Sequence, residues 1–176
     1  MFISTFEDYQ FYTNRVTYWD NVYGFRMSCM KKWCENEPLV DSINSRSINS
    51  SPAAILDINL KTVKVEELNF VSCFSLKMYR DDLITGMVVW FDCFFTDCHM
   101  QEKLSTSPWS KTTHWKQTLF YLDDSVSLRK NQKVSGHIAI RKNTVNPREL
   151  DIKLYITNYD ENKNENVEQT KFFTMH

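Results

Sequence analysis

At 176 residues, 42% of them hydrophobic and 14% aromatic, the chain can bury a core without staples and is too apolar to be a disordered segment. A net charge of −1 argues against direct, obligatory nucleic-acid binding. One domain, or one domain with an appendage, is expected.

The opening residues, "MFISTFED", have no basic start and turn acidic at Glu7, so they do not read as a signal peptide. From Thr13 to Trp33 the pattern is helical. Val16, Trp19, Val22 and Tyr23 recur at helical spacing, and Phe25, Cys29 and Trp33 repeat every fourth residue. Gly24 separates the two short segments, as glycine does at a helix C-terminus. Glu37-Pro38 ends the second. Residues 41–52, "DSINSRSINSSP", have connector composition. Residues 13–52 are thus expected to form a helical arm and its connector. Its Trp, Tyr, Phe and Met side chains make a face that so small a helical pair cannot bury against itself. That face is either an interface or packs on this chain's own β domain.

Over residues 53–176 the period switches to two, which predicts a β domain. Leu56, Ile58 and Leu60 share one face; Phe70, Ser72, Phe74, Leu76 and Met78 share another. Met87 to Phe95 is apolar on both faces and should be covered on both. Further strands are predicted at Trp115–Leu122, Val134–Ile140, Leu150–Ile156 and Lys171–Met175, with a solvated hairpin loop at 158–169. The fold class is mainly β, an antiparallel barrel or sandwich with a short helical arm. The longest apolar run, Leu83–Phe95, contains Asp92 and is too short to span a bilayer. A soluble cytoplasmic or nuclear protein is expected, with no membrane partner.

Little in the chain can carry chemistry alone. Its three glycines, Gly24, Gly86 and Gly136, form neither a G-x-G-x-x-G nor a Walker loop. Five cysteines show no C-x-x-C pair and no zinc spacing, and Cys73 and Cys93 read as reduced core thiols. Glu66-Glu67, Asp81-Asp82 and Asp123-Asp124 are neighbours in sequence, so they read as turn or surface charges rather than acid/base pairs. His99, His137 and His176 read as structural or solvated. No cofactor-binding residue and no metal ligand is predicted.

Four stretches, in order, resemble the protein arginine methyltransferases of the asymmetric-dimethylating type. They are "YWDNVYGFRMSCMK" (18–31), "EPLVDSI" (37–43), "VKVEELNFVSCFSLKMYRDD" (63–82) and "STSPWSKTTHWKQTLFYL" (105–122). In that family an N-terminal Rossmann-like domain binds S-adenosylmethionine, and a C-terminal β-barrel with an inserted dimerisation arm follows. The resemblance runs to about Ile156 and covers only the barrel and arm. It places residues 1–12 in the barrel's first strand, and the chain is expected to be part of a longer protein.

By this resemblance, Thr113, His114 and Trp115 match a loop that packs against the catalytic domain. His114 would be an auxiliary catalytic residue facing a carboxylate of that domain, and Trp115 would help wall the arginine pocket. A neutral imidazole can accept a proton near physiological pH. Read from the residues alone, His114 would cap the loop and Trp115 would fill the barrel rim. Trp19, Tyr23, Phe25 and Met27 match the arm's docking face on a second copy. Arg26 departs from the acid that relatives often carry there, and Trp109 receives no role. Implied partners are the catalytic domain, a homodimer mate, and Arg/Gly-rich proteins or histones as substrates. S-adenosylmethionine belongs to the intact enzyme, and this chain alone is expected to bind none and to be inactive. The alternative is a stand-alone, non-catalytic barrel that binds peptides or proteins.

Overall fold

A computed structural model describes residues 1–160 and 165–176. The alternating runs form antiparallel sheets packed face to face. Strands β1 (Phe2–Phe6), β2 (Leu39–Asp41), β3 (Ala53–Ala54), β5 (Asp82–Trp90) and β8 (Gln117–Leu128) make a five-stranded sheet in the order β2-β8-β5-β1-β3. Strands β4 (Phe70–Lys77), β9 (Lys133–Lys142), β10 (Leu150–Asp160) and β11 (Glu165–Met175) make a four-stranded sheet in the order β11-β10-β9-β4. Strands β6 (Asp92–Phe95) and β7 (Glu102–Ser105) pair as a separate hairpin.

The period-two residues meet between the two large sheets. Phe74, Leu76, Met87, Val89, Phe120, Ile138, Ile152, Leu154 and Phe173 belong to that core. A second cluster, Phe6, Ile43, Ile48, Val88, Trp90, Leu119 and Tyr121, covers the other face of the five-stranded sheet. Every residue from Ile84 to Trp90 is therefore buried, as expected of a run apolar on both faces. The run does not continue through Phe95. At Phe91 the chain leaves the sheet: its N–H donates to Thr106 Oγ1 and its C=O accepts from the Thr106 N–H, each at 3.0 Å. Beyond that break Phe94 and Phe95 are exposed.

At the open side, β8 and β11 are joined by side chains. Gln169 donates to the Asp124 carbonyl, and the buried Lys171 ammonium lies 2.6 Å from Asp123 Oδ1, close but poorly directed for a hydrogen bond. Asp123 and Asp124 thus serve the barrel seam.

Several expectations need correcting. Leu56, Ile58 and Leu60 form no strand: only Ala53–Ala54 pairs, the Ile55 N–H bonds the Met1 carbonyl, and a turn closed by Asn59 leaves Leu60 exposed. Strand structure extends through Asn158–Asp160 and 165–170, so the predicted loop at 158–169 is shorter, and its centre, 161–164, lies outside the described residues. Cys73 is exposed, because it points away from the packed face of β4, and Cys93, on the separate β6–β7 hairpin, is only half-buried; all five thiols are free.

The 41–52 connector is buried in part. Asn49 and Ser50 are fully buried. Ser4 Oγ donates to the Ser50 carbonyl, Thr5 Oγ1 donates to Asn49 Oδ1 at 2.6 Å, and Asn49 Nδ2 donates to the Leu83 carbonyl at 2.8 Å. Polar composition here marks a satisfied internal network rather than a loop in water.

Candidate functional site

The arm is built of short pieces. Helix α1 (Tyr9–Arg15) starts before the predicted Thr13, and α2 (Lys31–Asn36) ends ahead of Glu37-Pro38, as expected. Between them lie single 3-10 turns at Thr17–Asp20 and Ser28–Met30. Gly24 ends no helix. Val22 and Phe25 exchange both backbone hydrogen bonds around Tyr23 (φ 52°) and Gly24 (φ 91°), the geometry of a two-residue hairpin turn. The helical repeat across this region thus breaks at a left-handed pair.

That turn projects the rings outward. Tyr23 is 92% exposed and Phe25 74%, and Trp33 on α2 is 75% exposed, so they do not pack on this chain's barrel. Met27 is also exposed. Trp19 departs from the set: its indole N–H donates to Cys34 Sγ at 3.0 Å and its ring meets Tyr18 edge-on, so it holds the arm together from within. Asp20 is paired with Lys31 at 2.5 Å and accepts from Ser28, which holds its carboxyl below the usual range.

The second feature is the loop between β7 and β8. Trp109, which the sequence left without a role, packs edge-on against Trp90 at 5.7 Å, and Trp90 stacks on Phe2 at 5.9 Å. The loop's early half is thereby pinned to the second core. Its later half is a turn in which the Lys116 N–H donates to the Thr113 carbonyl and Lys116 takes a φ of 53°. The turn presents His114 and Trp115 side by side, ring centroids 3.8 Å apart, with Trp115 edge-on to Phe91 at 6.3 Å. His114 and Trp115 are exposed, and among the described residues no hydrogen bond or ion pair holds the imidazole. Thr113 Oγ1 is shielded from solvent and, among the described residues, meets no hydrogen-bond partner. The structure thus brings Thr113, His114 and Trp115 together at one surface. It does not bring the arm residues to them.

Sequence reasoning missed what holds the loop. Gln117 is 5% exposed; its Nε2 donates to the Thr106 carbonyl at 2.7 Å and its Oε1 accepts from the Ile43 N–H at 3.0 Å. Lys116 Nζ donates to Asp41 Oδ1 at 2.7 Å, and that bond leads the effects that hold the Asp41 carboxyl low. No local signal announces Ile43 and Asp41, which lie 74 and 75 residues from their partners.

The other histidines are apart from this loop. His137 stacks on Tyr155 at 4.8 Å on the outer sheet face, His176 lies 3.1 Å from Glu149, and His99 is exposed between β6 and β7. Among the described residues no cluster of His, Cys, Asp or Glu could hold a metal ion, and no helix is long and apolar enough to cross a membrane.

Comparison with known proteins places the chain in a family. Residues 1–161 match the family model described as the arginine methyltransferase oligomerization subdomain. The chain is 36% identical over 176 residues to protein arginine N-methyltransferase 1 of Caenorhabditis elegans, covering 100% of this chain and 50% of that protein. It is 39% identical over 155 residues to protein arginine N-methyltransferase 1 of Schizosaccharomyces pombe, covering 88% of this chain and 46% of that one. Its fold superposes with a TM-score of 0.90 and 30% identity on a chain of the Trypanosoma brucei PRMT1 enzyme–prozyme heterotetrameric complex with AdoHcy, over 99% of this chain and 55% of the other. The chain therefore spans about half the length of these curated relatives.

Proposed function

The chain belongs to the protein arginine methyltransferase family, as its oligomerization subdomain, and from that premise we propose that the whole protein transfers methyl groups from S-adenosylmethionine to protein arginine side chains. This chain supplies the substrate-side barrel and the arm. The observation that carries the reading is the His114–Trp115 surface: an imidazole and an indole held side by side, exposed, at a loop fixed by Trp109 and Gln117. Exposed aromatic surface of this kind is characteristic of an interface.

The residues present do not fit the cofactor. Gly86 and Gly136 lie inside strands under the rings of Phe6 and Phe74, and Gly24 turns the arm. None opens a helix in a phosphate- or nucleoside-binding cradle. The chain alone is accordingly expected to be inactive, and no step of methyl transfer is assigned to it by itself. In the assembled site His114 acts as an auxiliary group: set beside a carboxylate of the catalytic domain, it orients the arginine pocket or assists proton removal. Trp115 walls the pocket and Thr113 shapes the turn. Tyr23, Phe25 and Met27, held out by the arm that Trp19 braces, dock on a second copy. Arg/Gly-rich proteins and histones are the proposed substrates, and the cytoplasm or nucleus the proposed site of action.

A second reading, a stand-alone barrel that binds peptides, draws on an open groove of about 670 Å³ across the outer face of the four-stranded sheet, lined by Val71, Ala139, Arg141, Lys153 and Phe172 among others. The two readings part on what is encoded upstream: a glycine-rich cofactor loop there excludes the stand-alone module. Calorimetry tests the division of labour directly. The isolated chain is expected to show no heat of binding with S-adenosylmethionine, and micromolar binding would contradict it.

A further inference from the structure

We infer that Gln117 is a positioning residue that sets the Thr113-His114-Trp115 turn from the segment leading out of the arm, with the Asp41–Lys116 ion pair as its second tie. The catalytic consequence rests on the function proposed above; the mechanical one does not.

The amide of Gln117 crosses the neck of the loop. Its donor end holds the carbonyl of Thr106, the residue at which the loop leaves β7, and Gln117 itself begins β8. One side chain thus fixes the separation of the two loop ends. Its acceptor end takes the N–H of Ile43, two residues past β2. The same short strand pairs with β8 in the register Asp41↔Gln117, Val40↔Thr118 and Leu39↔Leu119. Lys116, left-handed at φ 53°, turns its ammonium onto Asp41.

Three kinds of contact therefore join residues 39–43 to the end of the loop: a ladder, a buried amide bridge and an ion pair. Upstream the connection is short. Helix α2 ends at Asn36, Glu37 is extended, and Pro38 is buried before β2 begins. Inside α2, Cys34 accepts the Trp19 indole of the arm.

Gln117 sits beside the second core, where Ile43 and Leu119 would accept an apolar side chain of its size. What an amide adds there is direction. A methionine could fill the volume but would leave the Ile43 N–H and the Thr106 carbonyl without this partner.

The test compares Gln117→Met, which removes both bonds, with Gln117→Glu, which keeps the acceptor and loses the donor. In the isolated chain, both are expected to shift the Trp115 indole N–H resonance and the Thr113–Lys116 amides. Gln117→Met alone should also shift the 39–43 amides, while His137 and Tyr155 on the far sheet stay in place. In the intact enzyme Gln117→Met is expected to lower kcat about tenfold, with KM for the cofactor unchanged. Should Gln117→Met fail to fold, Lys116→Met reads the same indole resonance, which must again move. If these variants melt at lower temperature while the Trp115 and His114 resonances remain in place, Gln117 only fills the core and the inference is overturned. Absence of methyl transfer by the wild-type intact protein would instead overturn the enzymatic reading and leave the resonance result standing.

Discussion

At the scale of single residues, close approach decides more than composition. Gly136 lies opposite Phe74 in the β4–β9 ladder, and a Cβ built on it would fall 2.0 Å from the Tyr155 carbonyl oxygen and 2.9 Å from Phe74 Cζ. Backbone cannot yield as a side chain can, so Gly136→Ala is expected to destabilise the chain by about 3 kcal/mol. Urea denaturation checks this, and an unchanged midpoint would contradict it. Asp41 gives a pH signature. Its carboxyl is held below the ordinary aspartate range, first by Lys116 and then by the Ser42 N–H. A folded-state pKa that is depressed contributes stability above the unfolded value, and that contribution is lost as pH falls through the folded one. The pair thus acts above about pH 4 and fades below it. Both side chains are almost half exposed, so the gain is small. Lys116→Met is expected to melt slightly below the parent at pH 6 and to converge with it in more acid solution. A gap that stays constant with pH would show that the ion pair is not its source.

At the scale of elements, the arm shows where periodicity succeeds and where it fails. Regular runs were legible: β4, β9 and β10 lie where the alternation put them, because one face of each meets the core. The arm's helical spacing was legible only in part, since apolar residues three or four apart also result from two short turns joined by a hairpin. The backbone at Tyr23, left-handed at φ 52°, could not be read from a tyrosine, a residue that rarely adopts it. The burial of the connector was not legible for a related reason: Ser and Asn look like solvent-facing residues unless their partners on β1 and β5 are known. Tyr23 also separates two roles. Tyr23→Asn places a residue more tolerant of that conformation and is expected to leave the isolated chain as stable, or up to about 1 kcal/mol more so. The same change removes a ring that is 92% exposed and should weaken self-association of the intact protein in sedimentation. A variant that is less stable, or that associates as tightly as the parent, would contradict this assignment.

At the scale of the whole molecule, the chain has two outward-facing features on one two-sheet scaffold. The sheets enclose one core, the connector and loop cover a second, and Asp123 and Lys171 meet at the seam. The tripeptide of the candidate site stood out as a motif, and the structure exposes its His114 and Trp115. Its fastening was not legible, because Asp41 and Ile43 reach Lys116 and Gln117 only through the folded sheet. The central claim is that His114 completes a methyltransferase site it does not itself contain. It is tested most directly by joining this chain to the catalytic half carried by its relatives and measuring transfer of labelled methyl from S-adenosylmethionine to an arginine peptide, with and without His114→Ala. The account predicts transfer by the parent and turnover at least about tenfold lower in the variant with cofactor affinity retained; equal turnover would make His114 a structural residue, and no transfer by the parent would contradict the account as a whole.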